Sequence, residues 1–272
     1  MHAPIKISIV LPSYNPKGNW FSDFIANIHD LENKAPDGIQ FQYIVVNDGS
    51  AGTGMDDAFK SLQKKIDLIY ISYAENKGKG FAMRTGVARA TAQFTILTDF
   101  DFPYASENII KMIDYLLAGY EIVIGKRTSE YFKSLPVKRR IISKAYMMLS
   151  RFSFQLPLYD IQSGIKGFGW RGKEVFLETG INRFLVDTEF VLRAIKKGLL
   201  VKVLDVSIKS NLQFTNFGRT VIITELKNLA TLFRLNRQLK SRCTEISNAE
   251  MAAEISLETL TTSHGKKHTV EF

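Results

Sequence analysis

The feature that most constrains this chain is a change of hydrophobic period that repeats through its first half. Short runs rich in Ile, Val and Phe (IKISIVLPSYN, FQYIVVNDGS, DLIYISYAENKG, QFTILTDFD and YEIVIGKR) alternate with stretches whose apolar residues return every three or four positions. The runs are short, β-branched and bounded by turn residues, which predicts strands. The stretches NWFSDFIANIHDLENK, MDDAFKSLQKKI, GFAMRTGVARAT and SENIIKMIDYLLAG predict amphipathic helices. This repeated order is that of an α/β protein with a mostly parallel central sheet, helices on both faces and right-handed crossovers. Such a sheet binds ligands beyond the carboxyl ends of its strands. Polar residues gather at those ends: Ser13, Tyr14 and Asn15, then Asn47 to Gly49, then Asn76 to Gly80, then Asp99 and Asp101.

After Arg127 the pattern loosens. A helix is expected over Val137 to Gln155, an irregular stretch over YDIQSGIKGFGWRG, a helix at VDTEFVLRAIKKG, a strand at LVKVLDVSI and a basic helix from Arg219. With 272 residues, 45% of them hydrophobic, the chain can bury one large core. Its one cysteine, Cys243, excludes an intramolecular disulfide and fits a reducing compartment. The amino terminus enters strand-like sequence without an export signal, and the most apolar window, AYMMLSRFSFQLPLY, is broken by Arg151 and Gln155. A cytoplasmic protein is expected. His2, His29, His264 and His268 show no metal-ligand spacing.

The net charge of +9 points to an anionic partner, and its distribution is local: eight basic residues against Glu130 alone between Lys126 and Arg151. No nucleic-acid recognition module accompanies this charge, so nucleic acid is not the expected partner. In Val137 to Phe152 the apolar Val137, Ile141, Ala145, Met148, Leu149 and Phe152 form one stripe beside basic side chains. An interfacial helix has this composition, and so does a helix packed on a core.

On a strand, Asp99 and Asp101 point to one side while Phe100 turns into the core. Two hard carboxylates at a sheet edge suit Mg²⁺ or Mn²⁺, with substrate phosphates and water completing the shell. Taken alone, the pair is equally an acidic turn. Asp48 either starts a turn or hydrogen-bonds a nucleobase or ribose. NKGKG, Asn76 to Gly80, offers two lysines and a helix N-terminus that favours anions. Gly78, Gly80 and Gly86 follow the third strand rather than the first, which excludes a dinucleotide fingerprint, and no P-loop is present. Asp187 and Glu189 in VDTEF are candidate general bases, or else acids in an exposed first helical turn.

In order and spacing, ISIVLPSYNP, YIVVNDGS, ENKGKGFAMRTGVARA, the Asp-x-Asp of LTDFDF, GKR, SGIKGF and VDTEF resemble the family 2 inverting nucleotide-sugar glycosyltransferases, whose fold is called GT-A. GKR followed by VKRRIISKAYMMLSR is similar to the dolichyl- and polyprenyl-phosphate mannosyl- and glucosyltransferases. The resemblance implies a nucleotide diphosphate sugar donor held by Pro12, Tyr14, Asn15, Asp48, Lys77, Lys79 and Gly80. It implies catalytic roles for Asp99, Asp101 and Asp187, with Mg²⁺ or Mn²⁺ on Asp99 and Asp101. Arg127, Arg139 and Ser143 would hold the acceptor phosphate, Arg139 and Ser143 lying one helical turn apart.

The lipid-phosphate enzymes carry a polar residue two positions after the second aspartate, where this chain has Pro103; either water or substrate fills that place, or metal binding is weak. The expected division is a GT-A domain over 1–212 with an acceptor-side basic helix near 136–156, a basic amphipathic helix over 213–240 and a polar tail over 241–272. The expected acceptor is a polyprenyl phosphate at an anionic membrane surface, with the enzyme peripherally attached. The runner-up is a glycan hydroxyl in cell-surface polysaccharide synthesis. A silent nucleotide-sugar binder and a nucleotidyltransferase are the readings from other classes.

Overall fold

The computed structural model describes residues 4–154, 160–209 and 224–239. Its centre is a seven-stranded sheet in the order β3-β2-β1-β4-β6-β5-β7. The strands are β1 (Ile5–Ser13), β2 (Ile39–Asp48), β3 (Leu68–Tyr73), β4 (Phe94–Leu97), β5 (Ile122–Arg127), β6 (Lys166–Phe168) and β7 (Val201–Val206). β1 pairs in parallel with both β2 and β4, β2 with β3, and β5 with β7. β6 alone runs antiparallel, between β4 and β5.

Alternation along β1 shows why the sheet is covered on both sides. Ile7, Ile9 and Leu11 face one apolar cluster with Phe24, Phe59 and Ile113, while Val10 faces the other with Met83, Val87 and Phe190. The first cluster is closed by α1 (Trp20–Lys34), α2 (Met55–Leu62) and α4 (Ser106–Leu117). The second is closed by α3 (Lys79–Arg89), α7 (Trp170–Leu177) and α8 (Val186–Lys196). The remaining helices among the described residues are α5 (Ser129–Ser134), α6 (Val137–Phe154) and a last helix over residues 224–239.

The five strands and four helices expected in the first half are all present, and β1 to β4 pair in parallel as expected. The stretch expected to be irregular, YDIQSGIKGFGWRG, instead carries β6 and the start of α7. A strand of three residues, KGF, is too short for either period to register. The basic helix expected from Arg219 is helical over 224–239, where Leu232 is buried and the Phe233 ring meets Phe154 of α6 at a tilt, 5.1 Å between centroids. The tail over 241–272, including Cys243, lies outside the described residues.

Candidate active site

The strand order reverses at β1, since β2 and β3 extend to one side and β4 to the other. The carboxyl ends of β1 and β4 therefore flank the crevice where open α/β sheets bind ligands. Asp99 and Asp101 follow β4 at that point. They sit in a turn, not on the strand: β4 stops at Leu97, and the Phe102 N–H donates to the Asp99 carbonyl at 3.0 Å. Phe100 is buried, as alternation predicted, but the turn directs it there, against Phe24 at 5.4 Å. Phe102 takes a left-handed φ of 45° and is buried beside the same ring, so packing holds the unfavourable backbone in place.

Asp99 is paired with Lys79, the first residue of α3. On its other side a Cβ at position 164 would overlap its carboxylate, so only glycine fits there. Gly164 is itself anchored, its N–H donating to the Tyr104 hydroxyl at 2.9 Å. Burial, reinforced by Asp99, pushes the Tyr104 phenol up to about 12. Asp101 faces solvent, yet partial desolvation by the surrounding chain and the charge of Asp99 raise its carboxyl above the usual range. Burial works to lower the Lys79 ammonium, but the carboxylates of Asp99 and Asp187 outweigh it and its pKa is raised.

Asp187 is not in an exposed helical turn. It is buried, and accepts a hydrogen bond at 2.7 Å from the ammonium of Lys166, which is fully buried. Because β6 is antiparallel, its first residue, Lys166, lies opposite Leu97, the last residue of β4, and opposite Ile124 within β5. That register delivers Lys166 to the crevice, where it also donates to the Ser163 carbonyl at 2.6 Å. Burial pulls its pKa down, against the pull of Asp187. Glu189 faces elsewhere: it accepts from the N–H groups of Gly180 and Ile181 at 2.9 and 2.8 Å and pairs with Arg193.

Asp48 ends β2 and is buried, its carboxylate accepting from the N–H groups of Lys77 and Gly78 and from the Asn76 amide, at 2.8 to 3.0 Å. The Gly80 and Phe81 N–H groups donate to the Asn182 carbonyl at 2.8 and 3.2 Å. The Lys77, Gly78 and Gly80 amides of NKGKG are thus occupied within the protein rather than turned to an anion. Lys77 lies over the rings of Tyr73 and Phe81. Pro12 is half-buried within β1, Tyr14 is exposed, and Asn15, with φ 47°, donates its N–H to Ser50 Oγ at 2.8 Å.

Arg127 ends β5 with its guanidinium clamped by Asp160, at 2.6 Å through Nη2, and donating to the Tyr131 hydroxyl at 2.9 Å. Burial lowers its pKa, but the Asp160 carboxylate more than reverses this. Ser143 is half-buried in α6; the side chain of Arg139 lies outside the described residues. Sequence reasoning missed Lys166, Asp160 and Tyr104 as members of this site. The SGIKGF motif contained the first, but nothing local marks a lysine that will be buried.

Along α6, Val137, Ile141 and Met148 are exposed on one stripe, and Tyr146 pins the helix to α8 through a 2.6 Å hydrogen bond with Thr188. Among the described residues no helix is long and apolar enough to cross a membrane.

A family model described as "Glycosyl transferase family 2" matches residues 8–180. A dolichol-phosphate mannosyltransferase of Pyrococcus furiosus is 27% identical over 205 residues, 74% of this chain but 55% of that protein, so the chain spans little more than half of that relative. The fold is similar to mannosyl-3-phosphoglycerate synthase from Rubrobacter xylanophilus, with TM-score 0.64 and 19% identity over 86% of this chain and 75% of the other. It is also similar to glucosyl-3-phosphoglycerate synthase from Mycobacterium tuberculosis, in complex with Mn²⁺, UDP-glucose and phosphoglyceric acid. There the TM-score is 0.58 and the identity 15%, over 82% and 79% of the two chains.

Proposed function

The chain belongs to glycosyl transferase family 2, and from that premise we propose that it transfers a hexose, with inversion, from a nucleotide diphosphate sugar to a polyprenyl phosphate at an anionic membrane surface. The observation that carries the proposal is the convergence of Asp99, Asp101, Lys79 and the buried Asp187–Lys166 pair at one sheet edge. The two carboxylates of the turn fit a hard divalent cation. They are too few to enclose one, and among the described residues no third acidic, His or Cys ligand joins them. A donor set of this kind leaves coordination places for diphosphate oxygens and water, and Pro103 adds no ligand to it. Asp99 and Asp101 would hold Mg²⁺ or Mn²⁺, which when bound supplies Lewis-acid stabilisation of a leaving diphosphate.

The chain's own groups account for the rest. The bond from the anomeric carbon to the diphosphate oxygen breaks with its electron pair left on that oxygen, and the Lys79 ammonium would stabilise the charge there. An acceptor oxygen forms the new bond from the opposite face. Asp187 bears on which acceptor is used. Its carboxylate is engaged at 2.7 Å by the buried Lys166 ammonium rather than left free for an incoming hydroxyl. A hydroxyl acceptor needs a base to take its proton, whereas a phosphate is already ionised. The outward Val137, Ile141 and Met148 of α6, set among basic side chains, support attachment to a lipid surface. The name of the Pyrococcus relative supports a lipid-phosphate acceptor.

The test is transfer from a panel of UDP- and GDP-sugars with Mn²⁺, offering a polyprenyl phosphate and a glycan in parallel. Transfer to the lipid that is lost in D99N and D101N, but substantially retained in D187N, supports the proposal. Transfer to the glycan alone, abolished by D187N, establishes the hydroxyl reading instead.

A further inference from the structure

Lys79 raises a question of competition, because the group nearest Asp99 is already a cation. The pair is largely buried, the two side chains being 21% and 35% exposed. Asp99 is closely flanked on its other side, where a Cβ on Gly164 would overlap its carboxylate and the Tyr104 hydroxyl holds the Gly164 N–H. The backbone of Lys79 is fixed as well, since the Asn182 carbonyl ties down the next two amides. What remains mobile is the four-carbon arm of the lysine, a compact charge on a flexible stem. Asp101 has no such pair among the described residues. A divalent cation arriving alone therefore meets one available carboxylate and one already neutralised.

We propose that Lys79 is a tethered counter-ion that occupies Asp99 until a diphosphate draws it away, so that the divalent cation and the donor bind cooperatively. This rests on the reading of Asp99 and Asp101 as cation ligands. With donor present, the lysine moves from carboxylate to phosphate and Asp99 becomes available. Without donor, the lysine keeps the site's affinity for free cation low. The coupling is reciprocal: whatever the diphosphate adds to cation affinity, the cation adds to diphosphate affinity.

The experiment measures Mn²⁺ binding by the decrease of the free-ion paramagnetic resonance signal, without nucleotide, for the full chain and for K79M, K79Q, K79R, D99N and K79M/D99N, each checked for a cooperative melt. Removing the competing charge should tighten Mn²⁺ binding by about fivefold or more, the low end of ordinary coupling between ligands. K79Q should do the same, K79R should stay near wild type, and D99N should abolish the gain in the K79M background. Added UDP or GDP should then raise Mn²⁺ affinity more in the wild type than in K79M. Mn²⁺ affinity that is unchanged or weaker in both K79M and K79Q overturns the counter-ion. Wild-type Mn²⁺ binding that survives D99N and D101N overturns the cation site itself, which separates the two failures.

Discussion

Lys166 is the residue whose environment departs furthest from its chemistry, a lysine with no exposed surface whose ammonium meets Asp187 and the Ser163 carbonyl. Removing one partner of a buried pair leaves an uncompensated charge, so K166M should destabilise the fold by about 3–5 kcal/mol in urea titrations. K166M/D187L should cost clearly less than K166M alone; equal costs would mean the pair is not coupled. Asp101 gives a prediction of opposite sign. Its folded pKa is raised above the ordinary value of 3.8 by desolvation and by Asp99, so keeping it ionised costs stability at neutral pH. D101N should therefore raise the melting temperature slightly at pH 7, and the advantage should fade as the pH falls through the raised folded pKa and vanish below 3.8, where both folded and unfolded chains hold the proton. A D101N variant less stable than wild type at pH 7 contradicts this. Asp99, Asp101, Lys79 and Asp187 were all legible as candidates because strand ends and motif spacing are local. Their partners were not: Lys166 lies 21 residues from Asp187 and Asp160 lies 33 from Arg127. No period connects positions that only sheet register brings together.

At the scale of elements, the start of α3 shows how two glycines build the crevice wall. A Cβ on Gly78 would overlap the Asn182 carbonyl, and one on Gly80 the Ile181 carbonyl; Gly78 also has a φ of 101°. Both let the segment before α8 approach closely enough to accept the helix's first amides. G80A should cost about 1–3 kcal/mol, as overpacking of a tight contact does, and should lower donor affinity by shifting Lys79. Wild-type stability in thermal and urea melts would show that the contact is slack. The glycines were visible in sequence as a loop for anions, and the structure gives them a second task. α6 behaves differently. Val137, Ile141 and Met148 face outward, so replacing all three with Ser should change stability by no more than about 0.5 kcal/mol each while sharply reducing sedimentation with lipid vesicles. Lost stability with retained vesicle binding would identify the stripe as core.

For the whole molecule, the excess of nine positive charges sits mostly where α5 and α6 lie, beside the crevice. Each basic residue close to an anionic lipid surface contributes about 1 kcal/mol. The screening length falls from about 10 Å at 0.1 M salt to about 3 Å at 1 M. Binding to phosphatidylserine vesicles should therefore weaken steeply across that range, and vesicles of uncharged lipid should bind little. Attachment indifferent to salt would locate the driving force in the apolar stripe alone. In the helix over 224–239, Leu232 is buried and the flanking Leu229 and Leu235 pack toward the core, while Leu226 and Phe233 are more exposed.

The amino-acid order by itself determined the α/β alternation, the parallel first half of the sheet, the strand ends that carry Asp48 and Asp99, and the helix start that carries Lys79. Each of these depends on period and turn chemistry within some ten to fifteen residues. Only the tertiary structure decided that β6 inserts antiparallel, that Lys166 thereby reaches Asp187, that Lys79 neutralises Asp99, and that the Lys77, Gly78 and Gly80 amides are already bound. Those outcomes depend on which strand ends share an edge, and on which charges are buried together when they do.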